Sequence, residues 1–146
     1  ATDMPSTVNN FVVLARYGYY DDTEIFRSDP SIGIIQGGAP TTNSASDPGP
    51  GYTIGDEADG FTYEPGQLVM ARTPQPNSSG AQFFFTITDA AAALDTDGTY
   101  LVFGEVIEGL DVLEDILDSH EADPASGLGG SPSPTVILET VRIVER

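Results

Sequence analysis

Cysteine, lysine and tryptophan are all absent from the 146 residues, and histidine occurs once, as His120. Without cysteine there is no disulfide framework, thiolate nucleophile or Cys-zinc site, and a lone histidine excludes a multi-His metal centre. The five arginines, Arg16, Arg27, Arg72, Arg142 and Arg146, stand against 23 Asp and Glu and leave a formal net charge of -18. Nucleic-acid binders displace counterions with clustered Lys and Arg, so nucleic acid and anionic membrane surfaces are poor partners for this chain. No apolar run approaches the roughly 20 residues of a membrane-spanning segment, and no charged-then-apolar signal opens the sequence. The first residue is Ala1 rather than Met, and with the acidity this tilts the expectation toward an exported or extracytoplasmic home over a cytoplasmic one.

What is present suits one domain over residues 1–146. A chain of about this length buries roughly 68–70% of its unfolded surface, enough for a core without metal or disulfide staples. Pro5 suits a first helical position, and Val8, Phe11, Val12 and Ala15 recur at helical spacing, which predicts a helix over 5–17. Short β-type runs follow at 24–27 and 32–36, then a Thr/Ser/Asn/Pro/Gly/Asp-rich stretch, 39–61, that reads as a long functional loop. Further strands are expected at 67–72, 81–88 and 100–106, a second helix at 109–119, a Gly/Pro/Ser loop at 120–134 and a last strand at 136–144. The absence of a βαβ rhythm argues for an antiparallel barrel or sandwich with helices at its ends.

Two local patterns carry weaker signals. Asp95-Thr96-Asp97-Gly98 starts like a calcium loop, but Thr99 and Val106 occupy ligand positions five and twelve of that pattern, so a β-turn is expected. Asn77-Ser78-Ser79 fits a glycosylation sequon within an ordinary Asn/Gly loop.

The chemistry rests on a series of blocks in order: Thr7-Val8-Asn9-Asn10-Phe11, Phe26-Arg27 with Pro30, Gln36-Gly37-Gly38, Gly49-Pro50-Gly51-Tyr52, Met70-Ala71, Asn77 to Gly80, Gln82-Phe83-Phe84 and Val102-Phe103-Gly104-Glu105-Val106. In order and spacing they resemble the cyclophilin-type peptidyl-prolyl isomerases across nearly the whole chain. The resemblance implies a mainly β fold, a closed eight-stranded antiparallel barrel capped by two helices, with a proline groove on its outer face. It implies isomerisation of X–Pro bonds in peptides and in unfolded or partly folded proteins, with no cofactor.

By the same resemblance Arg27 matches the catalytic arginine and Gln36 the glutamine that aligns it. Phe84 and Leu94 match the hydrophobic proline pocket, with Met70 and Ala71 leading into it, and Gln82 matches a groove residue that contacts substrate backbone. The backbone of Arg72 is expected near the swinging carbonyl. Strand alternation sends Phe83 and Phe85 to the opposite face, as barrel filling.

Several positions depart from the family pattern. Tyr100 stands in place of a pocket histidine, Ala93 in place of the tryptophan before Leu94, and Arg72 in place of an Asn, putting a second cation by the groove. The spacing from Arg27 to Gln36 is one residue longer, so the pocket Phe aligns with either Ile32 or Gly33 and its neighbouring Met with Ile34. The thinner pocket argues against tight cyclosporin-type binding and keeps open an alternative, a catalytically weak module that captures Pro-containing segments. The family also starts with two strands where only Ala1–Met4 precede the helix. A barrel incomplete at its N-terminus would need them from another chain or a removed segment, or a rearranged sheet over the gap.

Overall fold

The computed structural model describes residues 4–145. Helix α1 spans Pro5–Arg16, with Pro5 in the first turn where its missing N–H costs nothing. No side chain of the preceding residue caps it. The cap comes instead from Glu57 in the long loop, whose carboxylate accepts the Ser6 and Thr7 N–H groups at 2.9 and 2.7 Å and the Thr7 hydroxyl at 2.6 Å. An anion at this end also complements the helix dipole. The buried face of α1 includes polar Thr7 and Asn10 beside Leu14 and Ala15. Asn10 can be buried because its amide donates to the Gly80 carbonyl and accepts from the Tyr52 hydroxyl.

Nine short strands follow: β1 (Thr23–Glu24), β2 (Arg27–Asp29), β3 (Ile34–Gly37), β4 (Gln67–Met70), β5 (Phe83–Thr86), β6 (Val102–Glu105), β7 (His120–Ala122), β8 (Gly130–Pro132) and β9 (Ile137–Leu138). A 3-10 helix, Asp89–Thr96, lies between β5 and β6, and helix α2, Leu110–Asp118, lies between β6 and β7. Seven strands form one sheet in the order β6-β4-β5-β3-β2-β8-β7, and β1 pairs with β9 separately. Every ladder among the described residues is antiparallel. The molecule is mainly β with helices packed against its sheet.

Phe83 is buried with Leu14, Ala15 and Tyr20, and Phe85 packs against the same cluster. Leu113, Ile116 and Leu117 of α2 close over Ile25, Ile35 and Ile87. Phe84, between Phe83 and Phe85 in β5, turns to a second layer with Ile34, Tyr63 and Val69. This alternation separates a structural face from a groove face.

Several elements differ from the sequence reading. The loop expected at 120–134 contains the β7–β8 hairpin. Gly and Ser hide it from propensity arguments, yet Gly130 is required by close packing: a Cβ there would lie 2.1 Å from the Glu121 carbonyl oxygen. The run at 24–27 divides into β1 and β2, which belong to different sheets. The strand expected over 136–144 forms a ladder only at Ile137–Leu138. Beyond it Val141 and Ile143 pack on the Phe83 cluster, and the Val141 N–H donates to the Asp21 carboxylate. The stretch around Asp95–Gly98 is the end of the 3-10 helix, where the Asp97 and Gly98 N–H groups both donate to the Leu94 carbonyl. Ala1–Asp3 and Arg146 lie outside the described residues.

Candidate active site

Register brings the first pair of candidate residues together. Arg27 and Gln36 are directly opposed in the β2–β3 ladder, and Gln36 is opposed in turn by Phe84 of β5. Three adjacent strands thus place a cation, an amide and an aromatic ring on one face. Each nitrogen of the Arg27 guanidinium has its own acceptor: Nε donates to the Leu128 carbonyl at 2.8 Å, Nη1 to Gln36 Oε1 at 3.1 Å, and Nη2 to Asp29 Oδ2 at 2.9 Å. A guanidinium carries five N–H donors, so two have no acceptor among the described residues.

The amide relay continues beyond the arginine. Gln36 Nε2 donates to Gln82 Oε1 at 3.0 Å, and Gln82 Nε2 donates to the Ala45 carbonyl at 3.2 Å. Since each link needs an acceptor oxygen on one side and an N–H on the other, the chain from Arg27 to Ala45 fixes which way both amides point.

Beside this relay lies a groove of about 400 Å³. Its apolar end is formed by Ile32, Ile34, Ala71, Phe84, Leu94 and Tyr100, and Arg27, Gln36 and Gln82 also line it. Phe84 and Tyr100 meet edge to face, with ring centroids 5.6 Å apart, a favoured geometry for the aromatic quadrupoles. Tyr63 fixes the backbone of Tyr100: its hydroxyl accepts the Tyr100 N–H at 2.8 Å and donates to the Tyr100 carbonyl at 3.0 Å. Burial is the main reason that the Tyr63 hydroxyl is pushed up to about 12. It therefore stays protonated and keeps both bonds across the neutral range.

Ile32 rather than Gly33 supplies the aliphatic wall. Gly33 has φ +59°, and a Cβ there would lie 2.2 Å from Thr88 Oγ1, so no side chain fits. Met70 is a correction. It is fully buried with Met4 and Leu101, against Val8, Phe61 and Phe103, because it opposes Phe83 rather than Phe84 in the β4–β5 ladder.

Arg72 is the second correction. Arg72 lines the groove, but its guanidinium does not act there as a free cation: the side chain is 8% exposed. Nη1 donates to Asp56 Oδ2 at 3.0 Å and to the Thr99 carbonyl at 3.1 Å, Nη2 to the Gln75 carbonyl, and Nε to the Thr73 carbonyl. Asp56 Oδ2 also accepts the Asn77 N–H at 2.9 Å. Arg72 therefore pins three loop segments together.

The sequence reading missed Asp29, Tyr63 and the Leu128 carbonyl. Strand alternation from Arg27 could have flagged Asp29, since residues two apart share a face. Nothing local signals Leu128, which is 101 residues from its partner. Among the described residues no group of three or more His, Asp or Glu could hold a metal ion, and no helix is long and apolar enough to cross a membrane.

The family model described as cyclophilin type peptidyl-prolyl cis-trans isomerase/CLD matches residues 1–143. The chain is 36% identical over 150 residues to the peptidyl-prolyl cis-trans isomerase cyp18 of Streptomyces antibioticus, covering 97% of this chain and 87% of the relative. It is 36% identical over 151 residues to peptidyl-prolyl cis-trans isomerase B of Escherichia coli, covering 97% and 88%. A crystal structure of a Cryptosporidium parvum cyclophilin-type peptidyl-prolyl cis-trans isomerase, determined in the presence of the dipeptide Ala-Pro, superposes with a TM-score of 0.81 at 28% identity, covering 99% of this chain and 89% of that one.

Proposed function

The chain belongs to the cyclophilin-type peptidyl-prolyl cis-trans isomerases, and from that premise we propose that its Arg27 stabilises the twisted X–Pro amide while the Ile32, Ile34, Phe84, Leu94 and Tyr100 pocket holds the proline ring. Resonance gives the C–N bond a rotation barrier of roughly 18–20 kcal/mol, and uncatalysed X–Pro rotation takes tens to hundreds of seconds. As the bond twists, the nitrogen loses conjugation and becomes pyramidal and basic. A donor aimed at that nitrogen acts more strongly on the twisted amide than on either planar form, which is the condition for catalysis. No covalent step and no cofactor is required.

The observation that carries this reading is the fixed Arg27–Gln36–Gln82 relay along the edge of an apolar pocket. Arginine suits the task because it stays charged and its fork is planar. Two of its N–H groups are left over for a substrate in the groove that Arg27 lines. Gln82 would present its amide to the peptide backbone, and the Arg72 backbone would hydrogen-bond the swinging carbonyl. The substrate class is an X–Pro segment in a peptide or in an unfolded or partly folded protein; the Ala-Pro dipeptide used with the Cryptosporidium parvum relative supports that class.

The test is cis-trans exchange of an X–Pro peptide followed by NMR, which needs no coupling protease. Arg27→Ala is expected to lower kcat/KM by about 10²–10³-fold, the scale of losing one preorganised donor, while the peptide still shifts the Phe84 and Tyr100 resonances. Full activity of Arg27→Ala would overturn the mechanism.

A further inference from the structure

Arg27 has one ion-pair partner among the described residues, Asp29. The two lie two residues apart in β2, so they project from the same side of the strand. The side chains are 18% and 14% exposed. The carboxylate is itself anchored: Oδ2 accepts from Arg27 Nη2 at 2.9 Å, and Oδ1 accepts from the Ser31 N–H at 3.2 Å and the Ser31 hydroxyl at 2.5 Å. The hairpin packs closely behind it, and a Cβ on Gly129 would lie 3.1 Å from Asp29 Cγ. Asp29 therefore cannot swing away without breaking its bonds to the Ser31 turn.

A carboxylate beside a catalytic cation could do one of two things. It could compete with substrate for the N–H groups, or it could hold the guanidinium plane. The distribution of bonds favours the second. The pair uses one N–H of Nη2, while Nε and Nη1 are held by Leu128 and Gln36. Three acceptors on three different nitrogens leave a planar group no free rotation about Cδ–Nε, which two acceptors would restrain less. A largely buried ion pair is weak evidence for net stability.

We propose that Asp29, anchored by Ser31, is a positioning residue for isomerisation: it fixes the orientation of the Arg27 guanidinium toward the groove. This rests on the reading of Arg27 as the catalytic donor. The order of dependence runs from the Ser31 turn to the Asp29 carboxylate, then to Arg27 Nη2, and finally to the twisted nitrogen of the substrate.

The experiment measures kcat and KM separately by NMR exchange for the wild type, Asp29→Ala, Asp29→Asn, Ser31→Ala, Arg27→Ala and the Arg27→Ala/Asp29→Ala double variant. Asp29→Ala is expected to lower kcat by about 10–100-fold, the scale of a misoriented catalytic group, with KM within about threefold of the wild type. Asp29→Asn keeps an oxygen acceptor and should recover most of that loss. Ser31→Ala, which touches only the anchor, should lower kcat a few-fold, and it keeps the test decisive if Asp29→Ala does not fold. In the Arg27→Ala background the Asp29 change should have no further effect, because coupled residues are not additive. An unchanged or raised kcat in Asp29→Ala, or an equal loss in the Arg27→Ala background, would overturn the proposal. Full activity of Arg27→Ala would instead sink the catalytic reading beneath it, so the two failures are separable.

Discussion

The Nη1 group of Arg27 donates to Gln36 Oε1 at 3.1 Å from directly across the β2–β3 ladder. The bond is set by strand register rather than by a loop, so backbone hydrogen bonds on both sides hold the two side chains in place. A site built on strands in this way is more rigid than one assembled from loops.

Gln36→Ala removes one of three acceptors on the guanidinium and breaks the link to Gln82. We expect kcat for X–Pro exchange to fall about tenfold, with Gln36→Glu giving a different outcome: a carboxylate accepts from Arg27 but cannot donate to Gln82 Oε1. Steady-state exchange rates for the two variants check this. Equal rates in wild type and Gln36→Ala would remove the relay from the mechanism.

Phe84 is 3% exposed and forms both pocket wall and core. Phe84→Ala should cost about 3–5 kcal/mol of stability, as large-to-small core substitutions do, and should also weaken peptide binding. Denaturant melts read the first effect and NMR titration with a Pro-containing peptide reads the second. Phe84→Leu, retaining more of the volume, should recover stability ahead of binding.

Glu57 caps α1 from outside the helix, and its carboxyl is held below its usual range. Burial opposes ionisation, but hydrogen bonds from Thr7 and Ser6 outweigh it. A group with a lowered folded-state pKa stabilises the fold above its unfolded value, and that contribution is lost as pH falls through the folded value. Glu57→Gln should therefore cost about 1 kcal/mol at neutral pH, the usual scale of a lost cap. The difference in Tm between wild type and variant should shrink in acid. A Tm difference that does not change from pH 7 to pH 3 would show that the charge has no such role.

Arg72 holds Asp56, Thr73, Gln75 and Thr99 at once. Arg72→Ala should destabilise the protein by on the order of 2 kcal/mol, the scale of losing charged hydrogen bonds, and should loosen the loop that carries Thr73 and Ser78 along the groove. Hydrogen exchange at the Asn77 amide, which donates to Asp56, should quicken. Arg72→Lys should not restore protection, because an ammonium cannot reproduce the planar fork.

The sequence by itself determined what repeats or occurs locally: α1 from Pro5 and its apolar spacing, the alternation of Phe83, Phe84 and Phe85 between two faces, and the ordered blocks that place Arg27, Gln36, Gln82 and Phe84 in one groove. The acidic composition and the missing cysteines likewise needed no coordinates. Only the tertiary structure decided that Met70 faces inward, that Arg72 is a clamp, that Ile32 rather than Gly33 walls the pocket, and that residues 120–132 contain a hairpin beside Arg27. The reason is the range of the interactions. Strand and helix periods are carried by neighbours in the chain, whereas Glu57 on Thr7 and Leu128 on Arg27 join residues 50 and 101 positions apart. Such contacts depend on how distant elements pack together, and no local pattern of residue types encodes them.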